Sequence, residues 1–261
     1  MKYAVPLVLF IGLISAGTLL AQKAVPPGKI DYMKGIVTAT GIGTLNPNVP
    51  EQMRRPVAIK AAKLDAFRNL LDQVKRVQLD GTTTVESQML ASDYLHTQVE
   101  GVVKNFEVTN TQYRNDGTVE ITVQLSLYGE LADILLPPQS AAETPPTARD
   151  ETPTYTGVVL DARGLDVQPA LAPNVLNEQE QPVYGFNKVA RTEAITHGVV
   201  GYYTDPEQAK KDPRHGDKPL EIKVIRTTEN KVDLIISNAD AATLKSNVTL
   251  LKKANVLVLI D

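Results

Sequence analysis

The sequence contains no cysteine. Disulfides, thiolate metal sites and cysteine nucleophiles are excluded with it, as is a lipid carried on an N-terminal cysteine. Tryptophan is also absent and phenylalanine occurs only 4 times in 261 residues, so the core must be aliphatic. Positive charge is not in surplus. The net charge is −3 and neither half of the chain is basic, so the footprint of a nucleic-acid binder is missing. His96, His197 and His215 lie in separate segments without the short spacing of a metal motif. No GxSxG nucleophile turn occurs, and no acidic cluster has calcium-loop spacing. Neither an enzyme nor a protein with a cofactor or metal is expected from this composition.

What is present begins with an address. Lys2 precedes an uncharged apolar run from Ala4 to Ala21, the layout of a secretory signal peptide over residues 1–24. Its 18 residues also reach the lower limit for a membrane-spanning helix, but Pro6, Gly12 and Gly17 weaken a long span. The expectation is export to the periplasm of a Gram-negative bacterium after cleavage. If cleavage fails, the segment is an inner-membrane anchor and the only part in contact with a membrane.

A second landmark is the stretch from Pro137 to Thr154, with five prolines, four threonines and no aliphatic residue larger than alanine. It cannot bury enough apolar surface to offset ordering and reads as an extended linker. It separates two α+β domains, residues 27–136 and 155–261, each expected as an antiparallel sheet with helices packed on one face. In the first, alternation predicts a strand over Lys34–Gly43. A long amphipathic helix follows over Glu51–Arg76, with Val57, Ala61, Leu64 and Leu71 among its apolar positions. A strand over Val77–Glu86, a helix over Ser87–Val99, a hairpin turning at Asp116-Gly117 and a weak helix over Glu130–Leu136 complete it. The second domain shows a buried strand at Gly157–Ala162, a hairpin over residues 173–185, a short helix capped by Asp205 and a hairpin over residues 219–237. A helix to about Lys253 and a terminal strand follow.

Few residues suggest a site. Gly41 and Gly43 follow a strand, but a dinucleotide fingerprint needs a third glycine and an immediate helix, so a turn is the better reading. Asp161 and Arg163 stand at a strand end, where such a pair orients a ligand or, more often, ties the strand to its turn. Tyr202, Tyr203 and Tyr184 are candidates for a partner surface, tyrosine being enriched at interfaces, although core edge or ordinary surface is the commoner role.

Several spaced elements of the first domain together resemble a known family. Ala61, Asp65, Ala66, Arg68, Leu70, Gln73 and Val74 lead into Gly81 and Thr82; Gly101, Val103, Asp116, Gly117 and Val119 follow. Over about residues 34–128 this pattern resembles the LPP-type outer-membrane lipoprotein family and the N-terminal part of the flagellar assembly protein T family. The segment from Tyr155 to Glu178 resembles the companion domain that follows such domains in some exported bacterial proteins. The resemblance implies a non-enzymatic protein, periplasmic or associated with the outer membrane; some members build rings or discs around the flagellar motor. It carries no catalytic residues to transfer. The chain departs from the lipoprotein members in having no cysteine to hold the lipid.

Two functions follow as expectations. The first is a structural or assembly role in the envelope, extending to association with flagella, through contacts with envelope proteins or with itself as a homo-oligomer. The strands Thr118–Leu127 and Lys231–Ser237 are its expected exposed edges. The second is a periplasmic ligand-binding module around Asp161, Arg163, Tyr202 and Tyr203, an expectation that weakens if the first two bond only locally.

Overall fold

A computed structural model describes residues 28–139 and 154–261. The expected signal segment and residues 140–153 of the expected linker lie outside the described residues.

The first domain opens with two strands, β1 (Gly28–Asp31) and β2 (Ile36–Thr44). Helix α1 (Glu51–Lys75) follows, then α2 (Val85–Ala91) and α3 (Asp93–Val103). The hairpin of β3 (Glu107–Tyr113) and β4 (Thr118–Ser126) leads to α4 (Glu130–Leu135). The sheet is antiparallel throughout, in the order β1-β2-β4-β3. The Val77–Glu86 segment, expected as a strand, is a loop with a single bridge between Gln78 and Thr84. Thr84 and Ser87 form a reciprocal capping box that starts α2 there. Ser92 divides the expected single helix in two by accepting a hydrogen bond from the Leu95 amide as the N-cap of α3.

The buried stripe of α1 is Ala58, Ala62, Ala66, Leu70 and Val74; of the expected apolar positions Ala58, Leu70, Leu71 and Val74 are buried, whereas Val57, Ala61 and Leu64 are exposed. Close approach explains the choice of alanine. On the strand below, Gly41 and Gly43 are packed so tightly that a Cβ on either would collide with α1 backbone, at Ala62 and Ala66 and at Ala58 respectively. The two glycines are neither a phosphate loop nor a turn; they lie inside β2 and let the helix rest on the strand.

The second domain contains β5 (Gly157–Asp161), the hairpin strands β6 (Val175–Leu176) and β7 (Pro182–Tyr184), α5 (Arg191–His197) and β8 (Gly201–Tyr203). Then come α6 (Pro206–Ala209), β9 (Pro219–Lys223), β10 (Arg226–Thr227) and β11 (Leu234–Ile235). The chain finishes with α7 (Asn238–Ser246), α8 (Val248–Lys252) and β12 (Val256–Leu259). The α+β, two-domain class holds, but the antiparallel expectation for this half does not. Its main sheet, β8-β12-β5-β9, is wholly parallel. The reason is visible in β5 and β12: continuous apolar runs suit strands covered on both faces, as parallel strands are. The expected hairpin over residues 219–237 is divided, with β9 in the parallel sheet and β10 paired with β11 in a second, mixed sheet.

The two domains dock. One cluster of buried apolar side chains runs through both. The Gln78 and Leu79 carbonyls accept hydrogen bonds from the Leu171 and Ala172 amides at 2.9 and 2.7 Å. Tyr32, just after β1, meets Tyr202 edge to face with centroids 6.3 Å apart. Arg191 donates to the carbonyls of Asp133, Leu136 and Pro137 and to the Asp133 carboxylate. Gly198, at φ +80°, makes room for the Tyr128 ring, whose Cε1 would lie 2.7 Å from a Cβ there. Gln139 is held on the second domain by bonds from its amide to the Phe186 and Val189 carbonyls.

Candidate functional site

Asp161 and Arg163 face each other at the end of β5. The guanidinium donates from Nε to Oδ1 at 2.8 Å and from NH2 to Oδ2 at 2.6 Å, and the Arg163 amide also reaches Oδ1. The hydrogen bonds from Arg163 hold the Asp161 carboxyl below the usual carboxylate range. The turn that follows is closed by Gly164, at φ +84°, whose amide donates to the Asp261 carboxylate at 2.7 Å. This pair ties a strand end to its turn. It also borders an open cleft of about 440 Å³, lined among others by Val159, Leu259, Lys223 and His215.

Tyr202 and Tyr203 do not join that pair. Successive side chains of a strand point to opposite faces. Tyr202 is 3% exposed and points into the core, its hydroxyl bonded to both the amide and the carbonyl of Ala170 at 3.1 Å; burial pushes its pKa up. Tyr203 points to the other side and donates to Asp212 Oδ2 at 2.8 Å, on the wall of a second cleft of about 680 Å³. There Arg214 clamps the same carboxylate from Nε and NH2. Burial acts to raise the Asp212 pKa, but the bonds from Arg214 outweigh it and leave the carboxyl low. Tyr184 is fully enclosed and donates to the Val199 carbonyl at 2.5 Å. Tyr202 and Tyr184 are thus core and Tyr203 is a cleft wall, and the four named residues do not converge. The histidines also stay apart, and no group of three metal-ligating side chains occurs among the described residues.

The sheet edges differ from expectation more sharply. β4, expected as an exposed edge, is interior between β2 and β3. The Lys231–Ser237 segment contributes β11, buried between β10 and β6. Among the described residues β3 is a fully exposed edge, with all seven residues exposed and with Val108 and Tyr113 its large apolar side chains. The Arg114 amide bonds to the Thr118 carbonyl at 2.9 Å. Bonded and non-bonded pairs alternate along an antiparallel ladder, so the amides and carbonyls of Thr111 and Tyr113 point away from β4. A bulge between Val108 and Asn110 ends the regular stretch. The Arg55 guanidinium stands 5.0 Å from the Tyr113 ring centre and supports it from α1. The signal for this edge was in the sequence: EVTNTQY has no apolar alternation, as befits a strand exposed on both faces.

Residues 34–126 match the LPP20 lipoprotein family, and residues 157–261 match the domain described as Treponema pallidum Tp0624, second domain. Neither match is to the flagellar assembly protein T family. No match was found among curated proteins. No helix of the described residues is long and apolar enough to cross a membrane. The first domain of this chain is thus similar to the LPP20 lipoprotein family, as its helix and hairpin motifs indicated, and it is followed by a domain similar to the second domain of Tp0624.

Proposed function

We propose that this chain is a non-enzymatic, exported protein of the cell envelope with a structural or assembly role, acting through protein–protein contacts. The observation that carries this reading is the β3 edge, a seven-residue strand exposed along its length at the rim of a well-packed sheet. An edge of this kind offers unpaired backbone donors and acceptors to another strand. The LPP20 lipoprotein match supports the envelope as its place. Without a cysteine, a thioether-linked lipid has no point of attachment, so the N-terminal apolar run supplies the export signal in this reading. Work at the flagellum is a narrower form of the same proposal. Cross-linking of intact cells followed by recovery of the full chain tests it: adducts with envelope proteins or with itself are expected, and recovery of the monomer alone would sink it.

The cleft of about 440 Å³ favours a second reading, a small-ligand module in the second domain. It ranks lower because Asp161 and Arg163 already engage each other.

A further inference from the structure

We infer that the occupant of the β3 edge is the β3 strand of a second copy of this chain, running antiparallel about a two-fold axis at Gln112. This inference rests on the contact-protein reading above and names the partner. About that axis Thr111 faces Tyr113 of the second copy, and Tyr113 faces its Thr111. These are the two residues whose amides and carbonyls point outward, so the register forms four backbone hydrogen bonds with no donor left over. Thr111 and Tyr113 lie opposite Ile121 and Val119, on the face that carries α1, and an axis perpendicular to the sheet keeps them on one face. Each Thr–Tyr pair then joins a β-branched to an aromatic side chain, a favourable cross-strand pairing.

The charges agree with self-pairing. Between Asn110 and Arg114 the only charged side chain is Arg114, which is already paired with Glu120 and would stand opposite Asn110. Within the paired strands no like charges stand opposite each other. Sterics agree as well. α1 lies over β2 and β4, so two copies of it would sit four strand spacings apart, about 19 Å, with room for both. The described residues that flank the two segments outside the structure lie away from this edge. Gly28 opens β1 at the opposite side of the sheet, and Gln139 is fastened to the second domain. The stretch from Pro137 to Thr154 also has five prolines, which lack the amide a strand must donate. The product is an eight-stranded sheet with the bulge at Thr109 marking the end of each pairing.

The absence of cysteine makes a direct test available. Gln112 forms a non-bonded pair with its own copy, where Cα atoms approach to about 4.5 Å, within the range of a disulfide. The full chain carrying Gln112→Cys is oxidised mildly beside one carrying Gln52→Cys, on an exposed position of α1. Formation of the disulfide dimer at least about ten-fold faster at position 112 is expected, and Thr111→Pro added to the Gln112→Cys chain should abolish that advantage. Equal rates overturn the inference. In envelope extracts, joining of Gln112→Cys to a different protein overturns the second copy while leaving the contact reading in place. No adduct there from any cross-linker removes both.

Discussion

The two sides of the first sheet are finished differently. On the β1 side, β1 covers only Ile36–Ala39 of β2, which leaves Thr40–Thr44 without a strand neighbour. Helix α1 closes that gap: Asp65 accepts from the Ile42 amide at 2.9 Å, and Asn69 donates to the Thr40 carbonyl at 2.8 Å. Tyr32 then carries this side into the domain interface, where its hydroxyl accepts from the Gln78 amide and its ring meets Tyr202. On the β3 side no side chain of the described residues closes the edge in this way. A fold that spends two helical side chains on half a strand of edge and leaves a seven-residue edge bare is not indifferent to edges. The bare one is the one available for pairing.

The largest effect should come from the closed side. Gly41→Val drives a side chain into α1 backbone at Ala62 and Ala66 and is expected to cost about 3 kcal/mol in denaturant unfolding, the upper part of the overpacking range. A loss under about 1 kcal/mol would show that α1 can lift off β2 freely and would undo the contrast.

Alkali should act next, on the Tyr32 hinge of the same side. Burial pushes the Tyr32 hydroxyl up to about 12, against an ordinary value of 10.0, so the folded chain favours the neutral phenol. Its stabilising contribution is complete below about pH 10 and is lost as pH rises toward 12. Stability measured across that window should fall, and Tyr32→Phe should fall less steeply; parallel curves for the two chains would refute the role given to Tyr32.

Asn69→Ala removes one donor from the β2 edge, and a loss of about 1 kcal/mol is expected. Thr111→Pro should be the mildest change. The Thr111 amide points away from β4, so proline there removes no bond of the ladder, and stability should change by no more than about 0.5 kcal/mol. A large loss would mean that the Thr111 amide serves the fold and not the open edge.

Much of this contrast can be read in the chain and part of it cannot. The hairpin at Asp116-Gly117, the long helix and the two-domain division are legible because turn chemistry and helical periodicity are local. Asp65 and Asn69 of α1 bond to β2, a contact 23 to 29 residues away that no local pattern encodes. The same limit applies to Gly41 and Gly43, whose purpose depends on the alanines above them. The parallel sheet was present in sequence as continuous apolar runs, which antiparallel strands with one wet face do not show. The candidate site failed for a simpler reason: adjacent Tyr202 and Tyr203 must point opposite ways on a strand. Which strand ends a sheet is a property of strand order, and EVTNTQY hinted at it only through its polarity.

The most direct measurement is the mass in solution of the full chain over a range of concentrations, by light scattering, beside the Thr111→Pro chain at equal stability. The wild-type mass should rise from the monomer value toward twice that value with concentration while Thr111→Pro stays at the monomer. A wild-type chain that remains monomeric throughout, or a Thr111→Pro chain that associates equally well, would contradict the claim that β3 is where two copies meet.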